Sequence, residues 1–274
     1  MIRNPAVAGA FYYQDKEMLL EQIRECVNPD SKKEEACGIV VPHAGFMYSG
    51  EVAGEVYSSI EMPDTFVILG PNHTGYGKDF SIETNGIWRM PLGDVKVDSA
   101  LAEEIFKHSK VLEIDEIAHQ REHSIEVQIP FMQYFSDRFQ IVPIAVRHYP
   151  STDSFLDRCV EVGNAIAEAV KETNEKVVVV ASTDFSHYES QQTASINDKK
   201  ALDAILKLDS KKLFQEVSER DISMCGYGPV AVTITACKRL GCSKTKLVDY
   251  KTSGDVTGDY SQVVGYGGVI INAI

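Results

Sequence analysis

The sequence predicts an α/β fold: a mainly parallel central sheet flanked by helices, carrying small β-hairpin insertions, in a single domain over residues 1–274. Two observations predict it. Short β-branched runs alternate with stretches that place apolar residues at three- and four-residue intervals, the pattern of strands joined by amphipathic crossover helices. The 274 residues, 44% of them hydrophobic and with few linker-like segments, fit one large domain or two small ones, and one is the favoured reading.

The elements follow in order. A helix is expected at about 15–27, then the strand G-I-V-V ahead of Pro42, a helix at about 50–60 and the strand T-F-V-I-L-G at 65–70. E-T-N-G-I-W at 83–88 holds the Asn-Gly signal of a tight hairpin. A helix at about 98–109 leads to the strand F-Q-I-V-P-I-A-V at 139–146, a helix at about 152–172 and the strand K-V-V-V-V-A at 176–181. Helices at about 195–207 and 229–240 precede S-G-D-V-T-G-D at 253–259, a turn-rich loop. The final run S-Q-V-V-G-Y-G-G-V-I-I reads as a closing strand whose glycines admit a neighbouring backbone or a ligand.

Composition removes several classes of function. With 27 basic and 40 acidic residues the chain has a formal net charge of −13, which leaves no basic surface for nucleic acid. Apolar runs such as 177–181 are too short to span a bilayer, and M-I-R-N-P-A-V lacks the apolar core of a signal peptide, so no membrane partner is expected. Six scattered cysteines in a chain of this size predict reduced thiols and a cytoplasmic location. Cys237 and Cys242 have a C-x4-C spacing, but no second Cys/His pair follows, so they read as helix-end thiols rather than zinc ligands.

Chemistry collects just past the strands. His43 follows the first in V-V-P-H-A-G, His73 follows the second in L-G-P-N-H-T-G, and Asp184 and His187 follow another in A-S-T-D-F-S-H. In an open α/β sheet these positions line the ligand crevice, so three polar clusters share one edge. Pro42 and Pro71 restrict the backbone before the histidine loops, and Gly45 and Gly75 allow positive φ or close approach after them. Two imidazoles so held form half of a metal shell. In S-M-C-G-Y-G-P-V, Cys225 stands just ahead of a helix opened by Pro229, where the dipole favours a thiolate. Metal ligand, nucleophile and small buried hydrophobe all fit it at this point. In R-E-H-S-I-E-V, His123 opens an amphipathic helix, with Glu126 one turn on as a cap or partner. Arg147 and His148 offer an anion-binding edge or a solvated rim, and His108 and His119 have no comparable context.

Six motifs together resemble the Memo family, named for a mediator of ErbB2-driven cell motility. They are N-P-A-V-A-G-A-F-Y, P-H-A-G, L-G-P-N-H, E-H-S-I-E, T-D-F-S-H and S-M-C-G-Y-G-P, spread from residue 4 to residue 229. Tyr13 departs from the proline that usually follows F-Y in prokaryotic relatives, outside the site. The resemblance implies the fold of class III extradiol dioxygenases, which hold non-haem Fe(II) with two histidines and a glutamate. His43 and His73 then match the histidine ligands, Cys225 takes the place of the glutamate, and His187 and His123 match pocket acid/base groups, with Asp184 orienting an imidazole or adding a carboxylate.

A thiolate is softer than a carboxylate and shifts preference toward copper or zinc, so ring cleavage is not carried over. The expected function is that of a metal-binding protein using His43, His73 and Cys225, with Fe(II) or Cu first and Zn third, and an oxidoreductase role on an unidentified small molecule. The alternatives are a peptide-binding module using the crevice, as animal relatives suggest for phosphotyrosine peptides and for which Arg121 and Arg147 supply cations, and a Cys-His hydrolase. The family also implies a radical-SAM-type protein partner.

Overall fold

The computed structural model describes residues 1–272. The first half runs β1 (Ile2–Arg3), α1 (Lys16–Cys26), β2 (Ala36–Val41), α2 (Phe46–Ser58), β3 (Thr65–Asn72), β4 (Phe80–Ile82), β5 (Ile87–Met90), β6 (Gly93–Lys96) and α3 (Ser99–His108). Then come β7 (Glu113–Ile114), α4 (Ile129–Phe135), β8 (Gln140–Arg147), α5 (Asp153–Glu172), β9 (Val177–Ser182), β10 (His187–Glu189) and α6 (Gln191–Leu206). α7 (Ser210–Arg220), α8 (Tyr227–Arg239), β11 (Lys244–Thr252), α9 (Gly254–Thr257) and β12 (Val263–Asn272) close the described chain.

Nine strands form the main sheet in the order β10-β12-β2-β9-β3-β8-β4-β7, with β11 on β12. The four central strands β2, β9, β3 and β8 are parallel, as their continuous apolar runs predict. The expectation of a mainly parallel sheet fails at the flanks, because β12 is antiparallel to β2, β10 and β11 to β12, and β4 to β8. The reason is connectivity. Helical crossovers such as α2 and α5 return the chain in the same direction, whereas β11 and β12 are joined by a short local segment that reverses it. On β12 a Cβ at Gly267 would meet Leu202 of α6 and one at Gly268 would meet Val52 and Val56 of α2, so both faces of the sheet are covered by helices at close range.

Side-chain caps explain where most helices start. Asp15, Asp98, Thr152, Ser190 and Asp209 each accept a backbone N–H in the first turn of α1, α3, α5, α6 and α7. α2 begins at Phe46, earlier than its apolar periodicity suggests, because Phe46 N–H is satisfied by Phe11 O and the helix starts directly from the His43 loop. α7 is additional to the expected helices, and the helix expected to open at His123 begins only at Ile129, as α4.

Two further expectations are corrected. Asn85-Gly86 does not turn a hairpin: β4 pairs with β8 and β7, while β5 leaves for a second sheet with β1 and β6. The hairpin is instead β5/β6, which turns at Pro91–Leu92 with Gly93 at φ 138. The six cysteines are not all thiols either, because Cys37 and Cys242 form a disulfide. The cytoplasmic expectation therefore loses its chief support. Cys237 keeps its thiol, buried. Among the described residues no helix is long and apolar enough to cross a membrane.

Candidate metal centre

The strand ends deliver their side chains as expected. β2 stops at Val41, and the following turn buries His43, whose backbone N–H donates to Asp184 Oδ1 (2.8 Å). Its Nδ1 faces Ser182 Oγ at 3.0 Å. β3 ends at Asn72, whose Oδ1 accepts from Thr74 N–H, Thr74 Oγ1 and Gly75 N–H, curling the loop that presents His73. Gly75 uses its freedom at φ 69, whereas Gly45 does not, having φ −56 and serving only close approach to Phe11.

The decisive partner of His73 is Glu122, a buried residue that the sequence did not single out. One carboxylate oxygen accepts His73 N–H and the other lies 2.8 Å from His73 Nδ1. Burial alone would raise this carboxyl, but the bond from His73, the neighbouring His73 and His123 and the Ser124 N–H hold it down to about 2. An ionised carboxylate only accepts, so His73 Nδ1 carries the proton and Nε2 keeps its lone pair. This is the carboxylate–histidine arrangement that orients metal-binding imidazoles.

Ligand atoms of His43, His73 and His123 all lie within 4.8 Å of one another. The His73 and His123 rings stack at 4.7 Å, and His43 meets both edge-on at 5.2 and 5.4 Å. His123, read from sequence as an acid/base group opening a helix, thus joins the cluster from the loop before α4, backed by Phe11 at 4.8 Å. Burial and then the neighbouring imidazoles of His73, His123 and His187 drive His43 well below its ordinary value. Burial takes His123 down to about 4, so neutral donors face one another.

Cys225 sits at the crevice side of the cluster, two residues before α8. Its Sγ is 3.3 Å from His43 Nε2 and accepts Asp184 N–H at 3.3 Å. Two donors on one tetrahedral ion, with bonds of about 2.0 and 2.3 Å, stand roughly 3.5 Å apart. The His43–Cys225 spacing matches that of two donors on one ion, while the set of ligand atoms that all lie within 4.8 Å of one another is His43, His73 and His123 without Cys225. Burial and then the Asp184 carboxylate push the Cys225 thiol up, against the helix start that favours a thiolate. Burial also raises Asp184, up to about 6, against the bond from His43 N–H. Asp184 is thus a backbone organiser, tying the His43 turn to the Cys225 loop.

His187 lies half-exposed on the crevice rim, its Nδ1 2.8 Å from Ser223 O. A carbonyl only accepts, so the Nδ1 proton is placed there and Nε2 is the available base. His148 does the same through Cys225 O at 3.1 Å. His73, His148, His187 and Cys225 share a crevice of about 590 Å³ with Tyr188 and Tyr227. Tyr188 holds φ 59 at the bulge in the β10–β12 pairing, aimed out to 75% exposure.

Other candidates fall away from the centre. Arg147 donates to Gly75 O and Gly77 O and pairs with Asp79, so it staples the His73 loop rather than lining an anion site. Arg121 is exposed. Glu126 neither caps a helix nor serves the crevice: it takes Arg3, the N–H groups of Ala6 and Val7 and the Tyr12 hydroxyl, anchoring the N-terminal motif beneath Phe11. His119 is buried against Trp88, and His108 pairs with Glu172 at the surface.

A family profile described as Memo-like protein matches residues 3–270. The chain belongs to the Memo family. A MEMO1 family protein of Methanothermobacter thermautotrophicus is 44% identical over 281 residues, covering 97% of this chain and 99% of that one. One from Nitrosopumilus maritimus is 44% identical (98% and 99% covered), and one from Methanosarcina acetivorans 42% (98% and 99%). Among solved structures, the uncharacterized protein JW3007 of Escherichia coli K12 superposes with a TM-score of 0.53 at 11% identity, over 85% of this chain and 98% of that one. At that identity the likeness speaks for the fold alone.

Proposed function

We propose that this Memo-family protein binds a redox-capable transition metal, iron or copper, at His43, His73 and His123, with Cys225 as the sulfur donor on the crevice side, and acts on a small molecule held there. The observation that carries the reading is the convergence of three imidazoles within 4.8 Å beside a sulfur 3.3 Å from His43 Nε2. The donors are prepared for it: His73 spends its Nδ1 proton on Glu122, which leaves Nε2 bare. A mixed imidazole–thiolate set suits copper, zinc or iron better than a hard cation. When bound, such an ion supplies Lewis acidity and electron transfer. His187 Nε2 then stands at the rim to take or return a proton, while Ser223 holds its ring. A Cys-His nucleophile reading has the contact but lacks the activation, since Cys225 is pushed toward the thiol.

The test is elemental analysis of untagged protein purified anaerobically, for wild type beside H43A, H73A and C225A. Near-stoichiometric iron or copper in wild type, lost in both histidine variants and weakened in C225A, is expected. Wild type that takes up neither metal even on reconstitution would overturn the proposal.

A further inference from the structure

We infer that Ser182 and Gln128 are positioning residues that fix the tautomer of His43, forcing its proton onto Nδ1 so that Nε2 presents a lone pair to the cluster. The inference deepens the metal-site reading and rests on it for its purpose, but its own evidence is a closed count of hydrogens.

Ser182 is the last residue of β9 and is fully buried. Its Oγ has three polar neighbours: Ser124 O at 2.6 Å, Gln128 Nε2 at 2.8 Å and His43 Nδ1 at 3.0 Å. A hydroxyl has one proton and two lone pairs. Ser124 O can only accept, so the Ser182 proton goes there. Gln128 cannot be flipped to alter the count, because its Nε2 also lies 2.8 Å from Pro42 O, another obligate acceptor, and its Oε1 takes the Tyr57 hydroxyl at 3.1 Å. One amide hydrogen goes to Pro42 O and the other fills a Ser182 lone pair. The remaining Ser182 lone pair faces His43 Nδ1, which must therefore be the donor.

The opposite tautomer would set two lone pairs against each other in a place where no member of the chain is exposed. Tyr57, Ser124, Gln128 and Ser182 are all buried, so no solvent exchange relieves the mismatch. The chain draws on α2, the loop before α4 and β9, so three separate elements agree on one proton position. His43 Nε2 is then the nitrogen that lies 3.3 Å from Cys225 Sγ. His73 reaches the same state through a carboxylate. In the buried His43 a neutral hydroxyl does the work without adding a charge.

The test is imidazole nitrogen NMR of 15N-histidine-labelled, metal-free protein, in which two-bond couplings report the protonated nitrogen, together with cobalt(II) titration. Wild type is expected to show His43 protonated at Nδ1. S182A should lose that single tautomer and bind cobalt(II) about 10- to 100-fold more weakly, the usual cost of an outer-shell partner. S182T, which keeps the hydroxyl, should retain both. A wild-type spectrum with the proton on Nε2, or an S182A protein with unchanged tautomer and affinity, overturns the inference. The wild-type spectrum needs no variant, so it decides even if S182A fails to fold. It is also read without metal, so a protein that shows the expected tautomer but binds no metal refutes the metal reading and leaves the tautomer assignment standing.

Discussion

The two ends of strand β2 are built to opposite purposes. At its start Cys37 is bonded covalently to Cys242 after α8, and the preceding Glu34 pairs with Lys246 and Asn272 of β11 and β12. At its finish His43 is held only by hydrogen bonds: its backbone N–H and Nδ1 are taken by Asp184 and Ser182, and its Nε2 meets only the Cys225 sulfur. The same β2 and α8 thus carry a staple at one edge of the sheet and two candidate donors, His43 and Cys225, at the other. The contrast shows how a site can stay chemically open on a rigid frame: constraint sits at the far end of the same elements.

The sharpest separation of the two ends comes from opening the staple. Closing a loop of 205 residues is worth up to about 5 kcal/mol in the chain-entropy account. A C37S/C242S protein, or wild type in dithiothreitol, should lose stability on that scale in denaturant titrations while its metal affinity stays within about twofold. Equal loss of affinity would show that the two ends are coupled.

Glu126 tests the contrast from the other side, since it lies beneath the open edge yet belongs to the frame. E126A strands the buried Arg3 guanidinium and frees the Tyr12 hydroxyl, at a cost of about 3–5 kcal/mol. A cost below 1 kcal/mol by chemical denaturation would contradict the role given to it.

Acid attacks the frame through His119. Burial and then the Arg3 charge hold it down to about 4 from 6.5. A depressed histidine is neutral when folded, so its stability is fully present above pH 6.5 and falls as the unfolded chain alone takes up a proton. About 3 kcal/mol is lost between pH 6.5 and 4. Glu83, which burial raises to about 6, acts in the opposite sense between about 4.5 and 6. The comparison is therefore wild type against H119F, whose stability should fall less steeply over that window; parallel curves would remove His119 from the account.

The smallest effect belongs to Glu122. In E122Q one amide nitrogen must face an N–H group of the set His73, His123 and Ser124 now bonded to the carboxylate. Metal affinity should fall about 10- to 100-fold with little loss of fold. Unchanged affinity would mean that the His73 ring needs no such partner.

What could be read in the sequence follows the same division. His43, His73, Asp184, His187 and Cys225 stand beside strand ends or a helix start, where short-range pattern shows that they face one edge of the sheet. Glu122 could not be found that way, because its partner His73 is 49 residues away and its neighbour His123 carries the stronger signal. The Cys37–Cys242 bond joins distant segments with no spacing rule between them. Asn85-Gly86 was a sound local turn signal overruled by pairing of β5 with β1 and β6. The antiparallel flanks were hidden for a similar reason, since β4, β7 and β10 are too short to show periodicity. α7 was missed although its signals are local: Asp209 caps a stretch that buries Leu213 and Val217 four residues apart.

The most direct test of the central claim is X-ray absorption at the metal edge of iron- or copper-loaded protein, wild type beside H73A and C225A. The account predicts a nitrogen shell at about 2.0–2.1 Å and one sulfur at about 2.3 Å in wild type, the sulfur absent from C225A and the nitrogen shell depleted in H73A. An oxygen-only shell, or spectra that do not change among the three proteins, would contradict it.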